Sequence, residues 1–81
     1  MSTRFHVDIL TPDRTLFSGE ATYVGLPGVD GSLGVLAGHA PLITTLKAGE
    51  VTVRIERDEQ RFAVQGGTVE VLGGQVTVLA E

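Results

Sequence analysis

Apolar and polar residues alternate in several short stretches of this chain, and this alternation constrains the fold more than any other feature. In RFHVDIL at 4–10, the apolar residues Phe5, Val7 and Ile9 fall on one side of an extended chain. VTVRIER, TVEVL and QVTVLA repeat the pattern further along. A period of two with β-branched residues is typical of strands that bury one face. No stretch of helical length shows an apolar stripe, so the pattern predicts an all-β protein.

Glycine, proline and charged residues mark the breaks between these stretches. Breaks of this kind favour chain reversal, and here they are TPDRT, RDEQ at 57–60, QGG and LGGQ. The predicted strands therefore cover 4–10, 15–26, 32–36, 42–46, 49–57, 60–66, 68–73 and 75–80. Their spacing predicts a small sandwich or flattened barrel of two antiparallel sheets, with about eight to ten short strands.

Composition excludes several classes of protein. The chain has 81 residues, which is enough for one small domain, and it has no cysteine, which rules out disulfides and cysteine zinc sites. Its net charge is −4, and its single lysine and few arginines do not form the basic surface that nucleic-acid binding requires. No apolar run approaches the roughly 18 residues of a membrane span. The sequence therefore predicts no membrane-spanning segment, which is compatible with attachment to a membrane complex.

The segment PGVDGSLGVLAGHAPLITTLKAGE at 27–50 is rich in glycine and raises the possibility of a phosphate-binding loop. Such a loop needs the start of a helix facing the anion, and usually a lysine in a GK[ST] motif. Pro41 follows too soon for a useful helix, and Asp30 would repel phosphate. We therefore interpret the glycines as turn residues between short strands.

Two further alternatives concern single residues. His39, in GHAP, would need a nucleophile and an orienting carboxylate to act in catalysis, and the sequence shows no such pattern. We interpret His39 as bonded within its own turn and His6 as an outward-facing strand residue. Lys47, the only lysine, lies near a turn, which suggests a lipoyl or biotinyl carrier domain modified at Lys47. The acidic DK or MK setting of such carriers is missing.

Four stretches together resemble the epsilon subunit of F-type ATP synthase: FSGE at 17–20, PGVDGSLGVLAGHAPLITTLKAGEV at 27–51, VQGGTVEV at 64–71 and VTVLAE at 76–81. The resemblance covers nearly the whole chain in order. It implies an N-terminal β-sandwich in a non-catalytic rotor subunit of the central stalk. This subunit docks the gamma subunit to the membrane c-ring and couples proton flow to ATP synthesis. The resemblance implies that the domain binds no cofactor. It also implies a peripheral position on the cytoplasmic face of a bacterial plasma membrane.

The resemblance also assigns contact residues. The expected c-ring contacts are Asp30, Gly31 and Ser32. The expected gamma-subunit contacts are His39, Ala40, Pro41, Leu42 and Thr44, with Thr11 nearby. A surface that transmits torque should have short, stiff loops. Proline limits the flexibility of such a loop, and glycine lets a partner approach its backbone closely.

Most members of this family continue into a C-terminal helical hairpin that inhibits ATP hydrolysis in many bacteria. This chain stops at Glu81, so we expect residues 1–81 to form a single β-sandwich domain without that hairpin. The resemblance then implies docking and coupling, but not inhibition or ATP binding.

Overall fold

The computed structural model describes residues 3–81, which contain nine strands and no helix. The strands are β1 (Phe5–Leu10), β2 (Thr15–Ala21), β3 (Tyr23–Gly28), β4 (Gly31–Val35), β5 (Leu42–Leu46), β6 (Gly49–Ile55), β7 (Asp58–Val64), β8 (Gly67–Leu72) and β9 (Gln75–Ala80). The all-β prediction is confirmed. Within the described range, no helix is long and apolar enough to cross a membrane.

The strands form one hydrogen-bonded path that folds over into two halves. The five-stranded half has the order β2-β1-β9-β8-β5, and the four-stranded half has the order β4-β3-β6-β7. The path passes from one half to the other through β3 and β5, which share the single pair Gly28↔Leu46. Neighbouring strands are antiparallel except β1 and β9, which run parallel. This parallel pair is a detail that the sequence pattern does not reveal.

Both halves contribute their inner faces to one apolar core, as the alternation predicts. Burying a valine or isoleucine side chain contributes roughly 1.5–3 kcal/mol, so this aliphatic core is the main source of stability. Its members are Phe5, Val7, Ile9, Ala21, Val24, Leu26, Val35, Leu46, Val51, Val53, Val64, Val69, Val71, Val76, Val78 and Ala80. On the side away from β5, the rings of Phe17 and Phe62 lie 5.8 Å apart and join β2 to β7.

The predicted strand at 15–26 is wrong in one respect, because the chain breaks it at Thr22 into β2 and β3. The backbone N–H of Thr22 donates to the Arg54 carbonyl at 2.7 Å, and its hydroxyl donates to the same oxygen at 3.0 Å. The hydroxyl also accepts the N–H of Glu56 at 3.3 Å. These bonds fix the point where the chain passes from the five-stranded to the four-stranded half. No glycine or proline marks it.

The turn between β6 and β7 is also displaced from its predicted position at 57–60. The structure makes the turn at Glu56 and Arg57, and Glu56 has a positive φ of 55°. Asp58 and Glu59, two of the charged residues that suggested a loop, belong instead to β7. Glu59 accepts charged hydrogen bonds from Arg54 at 3.0 Å and Arg61 at 3.0 Å, so these side chains are compatible with an exposed strand.

Candidate protein–protein interface

The residues expected to contact the c-ring lie at the tip of the hairpin between β3 and β4. Its loop is Val29–Asp30, closed by the pair Gly28↔Gly31. Gly31 has a φ of 134°, a conformation that favours glycine. The N–H of Val29 donates to the Thr45 carbonyl at 3.0 Å, so the tip lies beside β5. The structure therefore brings Asp30, Gly31 and Ser32 together as an exposed tip on a short hairpin held at its base.

The segment between β4 and β5 contains three of the expected gamma contacts, His39, Ala40 and Pro41, all of them exposed. The N–H of His39 donates to the Leu36 carbonyl at 3.1 Å, and its Nδ1 donates to the Ala40 carbonyl at 2.7 Å. The interpretation of His39 as bonded within its own turn is confirmed. In the described part of the chain, no hydrogen bond joins it to a carboxylate or a hydroxyl.

Strand β5 presents its residues alternately to the core and to solvent. Leu42 and Thr44 point inward and are half-buried, and Leu42 packs against the core. Ile43 points outward and is 73% exposed. Together with Pro41 and Leu72, it lines a shallow apolar groove on the outer side of the five-stranded half. An exposed apolar patch is typical of a surface that binds another protein.

Thr11 does not lie near the other expected gamma contacts, in contrast to the expectation from the sequence. It follows the last residue of β1, whereas His39 lines a small cavity with Phe5, the first residue of β1. An extended chain advances about 3.3 Å per residue, so these two ends of β1 are separated by about 20 Å. The hydroxyl of Thr11 instead accepts the N–H of Arg14 at 3.1 Å within the TPDRT turn.

The residues of the other sequence hypotheses have simple environments. Lys47 is exposed in the turn between β5 and β6, and its backbone N–H donates to the Pro27 carbonyl at 2.8 Å. Residues 3–81 contain no group of three or more histidine, aspartate and glutamate side chains placed to hold a metal ion.

A polar network that the sequence did not predict crosses the outer face of the five-stranded half. Its centre is Asp8, whose Oδ1 accepts the hydroxyl of Ser18 at 2.6 Å and lies 3.1 Å from Nε2 of His6. Oδ2 of Asp8 accepts the side-chain amide of Gln75 at 3.0 Å. The bond from Ser18, followed by those from His6 and Gln75, lowers the pKa of Asp8 below its ordinary value of 3.8. The carboxylate is therefore ionised and fixed in place at neutral pH.

This network predicts a pH-dependent contribution to stability. Because the folded state lowers the pKa of Asp8, its contribution is complete above the ordinary value of 3.8 and is lost as the pH falls through the lower folded-state pKa. The free energy of unfolding of wild type should thus exceed that of Asp8→Asn at neutral pH, with the difference shrinking below about pH 4. Urea unfolding between neutral and strongly acidic pH measures this difference.

Asp30→Asn is the matched control for this experiment. It also removes one carboxylate, but no hydrogen bond or ion pair in the described range joins Asp30 to another side chain. If Asp8→Asn and Asp30→Asn gave the same dependence of stability on pH, the Asp8 network would not contribute as described.

The contact residues that the resemblance assigns do not include three exposed apolar residues. Ile43, Leu72 and Leu79 are 73%, 58% and 53% exposed, and all three project from the outer face of the five-stranded half. The alternation itself contains the signal that identifies them. Because Leu42 and Leu46 face the core, Ile43 must face outward. Core packing therefore does not explain why residue 43 is apolar.

A known family of proteins matches nearly the whole chain. The family model described as "ATP synthase, Delta/Epsilon chain, beta-sandwich domain" matches residues 4–81. The chain is 46% identical over 79 residues to ATP synthase epsilon chain 2 of Nitrobacter hamburgensis, covering 98% of this chain and 58% of that protein. It is 47% identical over 77 residues to the ATP synthase epsilon chain of Bordetella avium, covering 94% and 55%. The chain thus spans somewhat more than half the length of these curated relatives.

Solved structures show the same fold. A chain of the Euglena gracilis mitochondrial ATP synthase, from an OSCP/F1/c-ring structure, aligns with a TM-score of 0.91 and 20% identity, covering 99% of this chain and 52% of that one. A chain of the Tetrahymena thermophila central stalk and c-ring aligns with a TM-score of 0.76 and 16% identity, covering 93% and 61%. The comparisons do not support a carrier domain modified at Lys47. They confirm the resemblance drawn from the sequence: the chain belongs to the family of ATP synthase delta and epsilon chains, and residues 4–81 match its β-sandwich domain.

Proposed function

We propose that this domain is a non-catalytic rotor element of an F-type ATP synthase, which docks the gamma subunit to the c-ring. The observation that carries the proposal is the exposed side chain of Ile43 on β5, within the segment that the family resemblance assigns to the gamma subunit. Ile43 lies near His39–Pro41 in the chain, and the neighbouring Thr45 bonds to the hairpin tip at Val29. The hairpin tip and the segment at 39–43 thus meet at β5.

The gamma-facing part of the proposed surface consists of His39, Ala40, Pro41, Ile43 and Leu72. Proline and the internal bonds of His39 limit the motion of this segment, so little conformational entropy is lost when a partner binds. Leu42 and Thr44 support it from the inner side and are only partly accessible to a partner. Thr11 would reach the gamma subunit only across the length of the five-stranded half.

The hairpin tip at Asp30, Gly31 and Ser32 is proposed to contact the polar loops of the c-ring. It is exposed, polar and short, and the backbone bonds from Val29 and Lys47 tie the β3 strand to β5 at its base. Torque applied at the tip therefore passes directly to the strand that carries Ile43. This arrangement suits mechanical coupling better than chemistry.

The same proposal places the chain on the membrane through its partners. As part of a bacterial ATP synthase it would lie at the cytoplasmic face of the plasma membrane, and it would couple proton flow to ATP synthesis without binding a cofactor. Residues 1–81 would act as one docking domain. Inhibition and ATP binding, which the family resemblance connects with a helical hairpin, are not part of the proposal.

Binding to the gamma subunit tests this function. Purified gamma subunit from the same source, immobilised on a biosensor, should capture the domain stoichiometrically. His39→Glu should weaken capture by roughly tenfold, because a bulky charge replaces an ordered ring at a desolvated contact. Circular dichroism should be unchanged, since His39 is exposed and bonded only within its own turn.

Asp58→Glu, which enlarges an exposed side chain at the start of β7, is the control for a surface change on the four-stranded half. The proposal fails if folded wild-type domain shows no capture by the gamma subunit. If His39→Glu and Asp58→Glu weakened capture equally, the assignment of His39 to the contact surface would be wrong.

A further inference from the structure

The aromatic ring of Tyr23 lies across two glycines on the outer face of the four-stranded half. Gly25, two residues further along β3, pairs with Gly34 of β4. A Cβ atom at Gly25 would lie 2.9 Å from the hydroxyl oxygen of Tyr23, and one at Gly34 would lie 2.9 Å from Cε1 of the same ring. Neither glycine has a positive φ, so the backbone conformation does not require glycine at these positions. The ring of Tyr23 occupies the space that their side chains would need.

A charged side chain covers this ring from the neighbouring strand. Tyr23 pairs with Arg54 of β6, whose guanidinium carbon lies 4.9 Å from the ring centroid. A cation at this distance is attracted to the face of an aromatic ring. Arg54 also donates to Glu59 of β7 at 3.0 Å. A continuous series of side-chain contacts therefore runs from β7 through β6 and β3 to the backbone of β4.

Strand β4 depends on such a contact because it is an edge strand. Within residues 3–81 it pairs only with β3, and a two-stranded hairpin has little stability of its own. Leu33 and Val35 attach its inner side to the core. On the outer side, the Gly25↔Gly34 pair has no side chains to make the cross-strand contact that stabilises a sheet. The ring of Tyr23 supplies that contact.

From this arrangement we infer that Tyr23 is a positioning residue for the hairpin tip. Its ring holds β4 against β3, so that the tip at 30–32 keeps one orientation towards its partner. The inference rests on the proposed function, in which that partner is the c-ring. Tyr23 lies five residues before Gly28 at the base of the loop, so about 17 Å of strand separates it from the tip. Tyr23 therefore acts through the hairpin and not by touching the c-ring.

Amide hydrogen exchange of the folded domain tests the inference. Tyr23→Ala should speed exchange of the β4 amides roughly tenfold, because the hairpin loses the ring contact and opens more often. Amides of β8 are the internal reference and should change by less than about twofold, since this opening is local. Tyr23→Phe keeps the ring and should exchange like wild type. Thr52→Ala, which shortens the neighbour of Gly25 on β6, is the matched control and should also exchange like wild type.

A substitution at Gly25 separates this role from a general loss of structure. In the wild-type background, Gly25→Thr should speed β4 exchange, because its Cβ pushes the ring aside. In the Tyr23→Ala background the same substitution should slow β4 exchange, because the space is free and threonine favours a strand. An effect of the same sign in both backgrounds overturns the inference.

Arg54→Met keeps the test informative if Tyr23→Ala impairs folding. The Arg54 side chain is exposed, and its removal takes away only the cation above the ring and the bond to Glu59. Exchange of the β4 amides should then rise roughly threefold, since a cation–π contact at an exposed site is weak. Unchanged β4 exchange in Tyr23→Ala, or in Arg54→Met where Tyr23→Ala does not fold, overturns the inference.

Binding to detergent-purified c-ring connects the hairpin to function. In complex with the gamma subunit, the Tyr23→Ala domain should bind the c-ring roughly fivefold more weakly than wild type, because a tip with several orientations loses entropy when it is fixed. Gly25→Thr in the same background should restore c-ring binding, and capture by gamma should be unchanged throughout. If β4 exchange rose while c-ring binding stayed the same, the inference would fail and the proposed function would stand. If wild type bound neither gamma nor the c-ring, both would fail.

Discussion

Replacing Gly67 with alanine should destabilise the domain more than any other substitution considered for it. Gly67 is the first residue of β8 and pairs with both Leu46 of β5 and Ala80 of β9. Its φ is 137°, and an added Cβ would overlap the carbonyl oxygen of Leu79 and approach Cα of Ala80 to 3.1 Å. These are backbone atoms of a paired strand, so they cannot move aside as a flexible side chain would.

The expected loss is about 4 kcal/mol or more, because backbone strain and a steric clash act together. A small domain has a total stability of roughly 5–15 kcal/mol, so this loss removes about a quarter of it or more. The melting temperature measured by circular dichroism should fall by roughly 20 °C.

Gly73→Ala is the matched control for this prediction. Gly73 also has a positive φ, of 56°, but no atom lies within 4 Å of the Cβ position. The control should therefore cost only roughly 1–2 kcal/mol, the penalty of the backbone conformation alone. Equal melting temperatures for the two variants would mean that β8 and β9 separate easily at Gly67, contrary to the geometry described above.

Sequence alternation predicted most of the fold because each strand buries one face. Val7, Ile9, Val69 and Val78 all lie in the core as expected. The break at Thr22 was missed because hydrogen bonds to Arg54 and Glu56, far along the chain, create it. No glycine or proline near Thr22 indicates a turn. The turn before β7 was misplaced for a related reason. Arginine and glutamate pairs stabilise charged residues on an exposed strand, where the sequence suggested a loop.

The candidate site was predictable only in part. The segment at 30–32 and the segment at 39–41 both lie at exposed turns, as glycine and proline indicated. The distance of Thr11 from His39 depends on the length of β1 and on the order of the strands, which the local pattern does not encode. The Asp8 network likewise joins three strands, because Ser18 and Gln75 reach Asp8 from β2 and β9.

Replacing Ile43 with serine should raise the Kd for the gamma subunit by roughly 30-fold, equivalent to about 2 kcal/mol. Ile43 is the most exposed of the large apolar side chains described, at 73%, and it lies in the proposed gamma contact beside Pro41 and Leu72. Its burial in a complex would remove apolar surface from water and bring Pro41 and Leu72 into the same contact. Serine removes this apolar area without adding charge, so the loss reports on hydrophobic contact alone.

Val29→Ser distinguishes this effect from a general loss of surface hydrophobicity. Val29 is 48% exposed at the hairpin tip, which the proposal assigns to the c-ring, and its bond to Thr45 uses only the backbone. Its Kd for gamma should stay within about threefold of wild type, since aliphatic residues outside an interface contribute little to binding. Neither variant should unfold the domain, because surface substitutions of this kind change stability by only about 0.5 kcal/mol. If Val29→Ser raised the Kd more than Ile43→Ser, the partner assignments of the two surfaces would have to be reversed. The gamma subunit would then bind the hairpin tip, and the outer face of β5 would be left for another neighbour in the rotor.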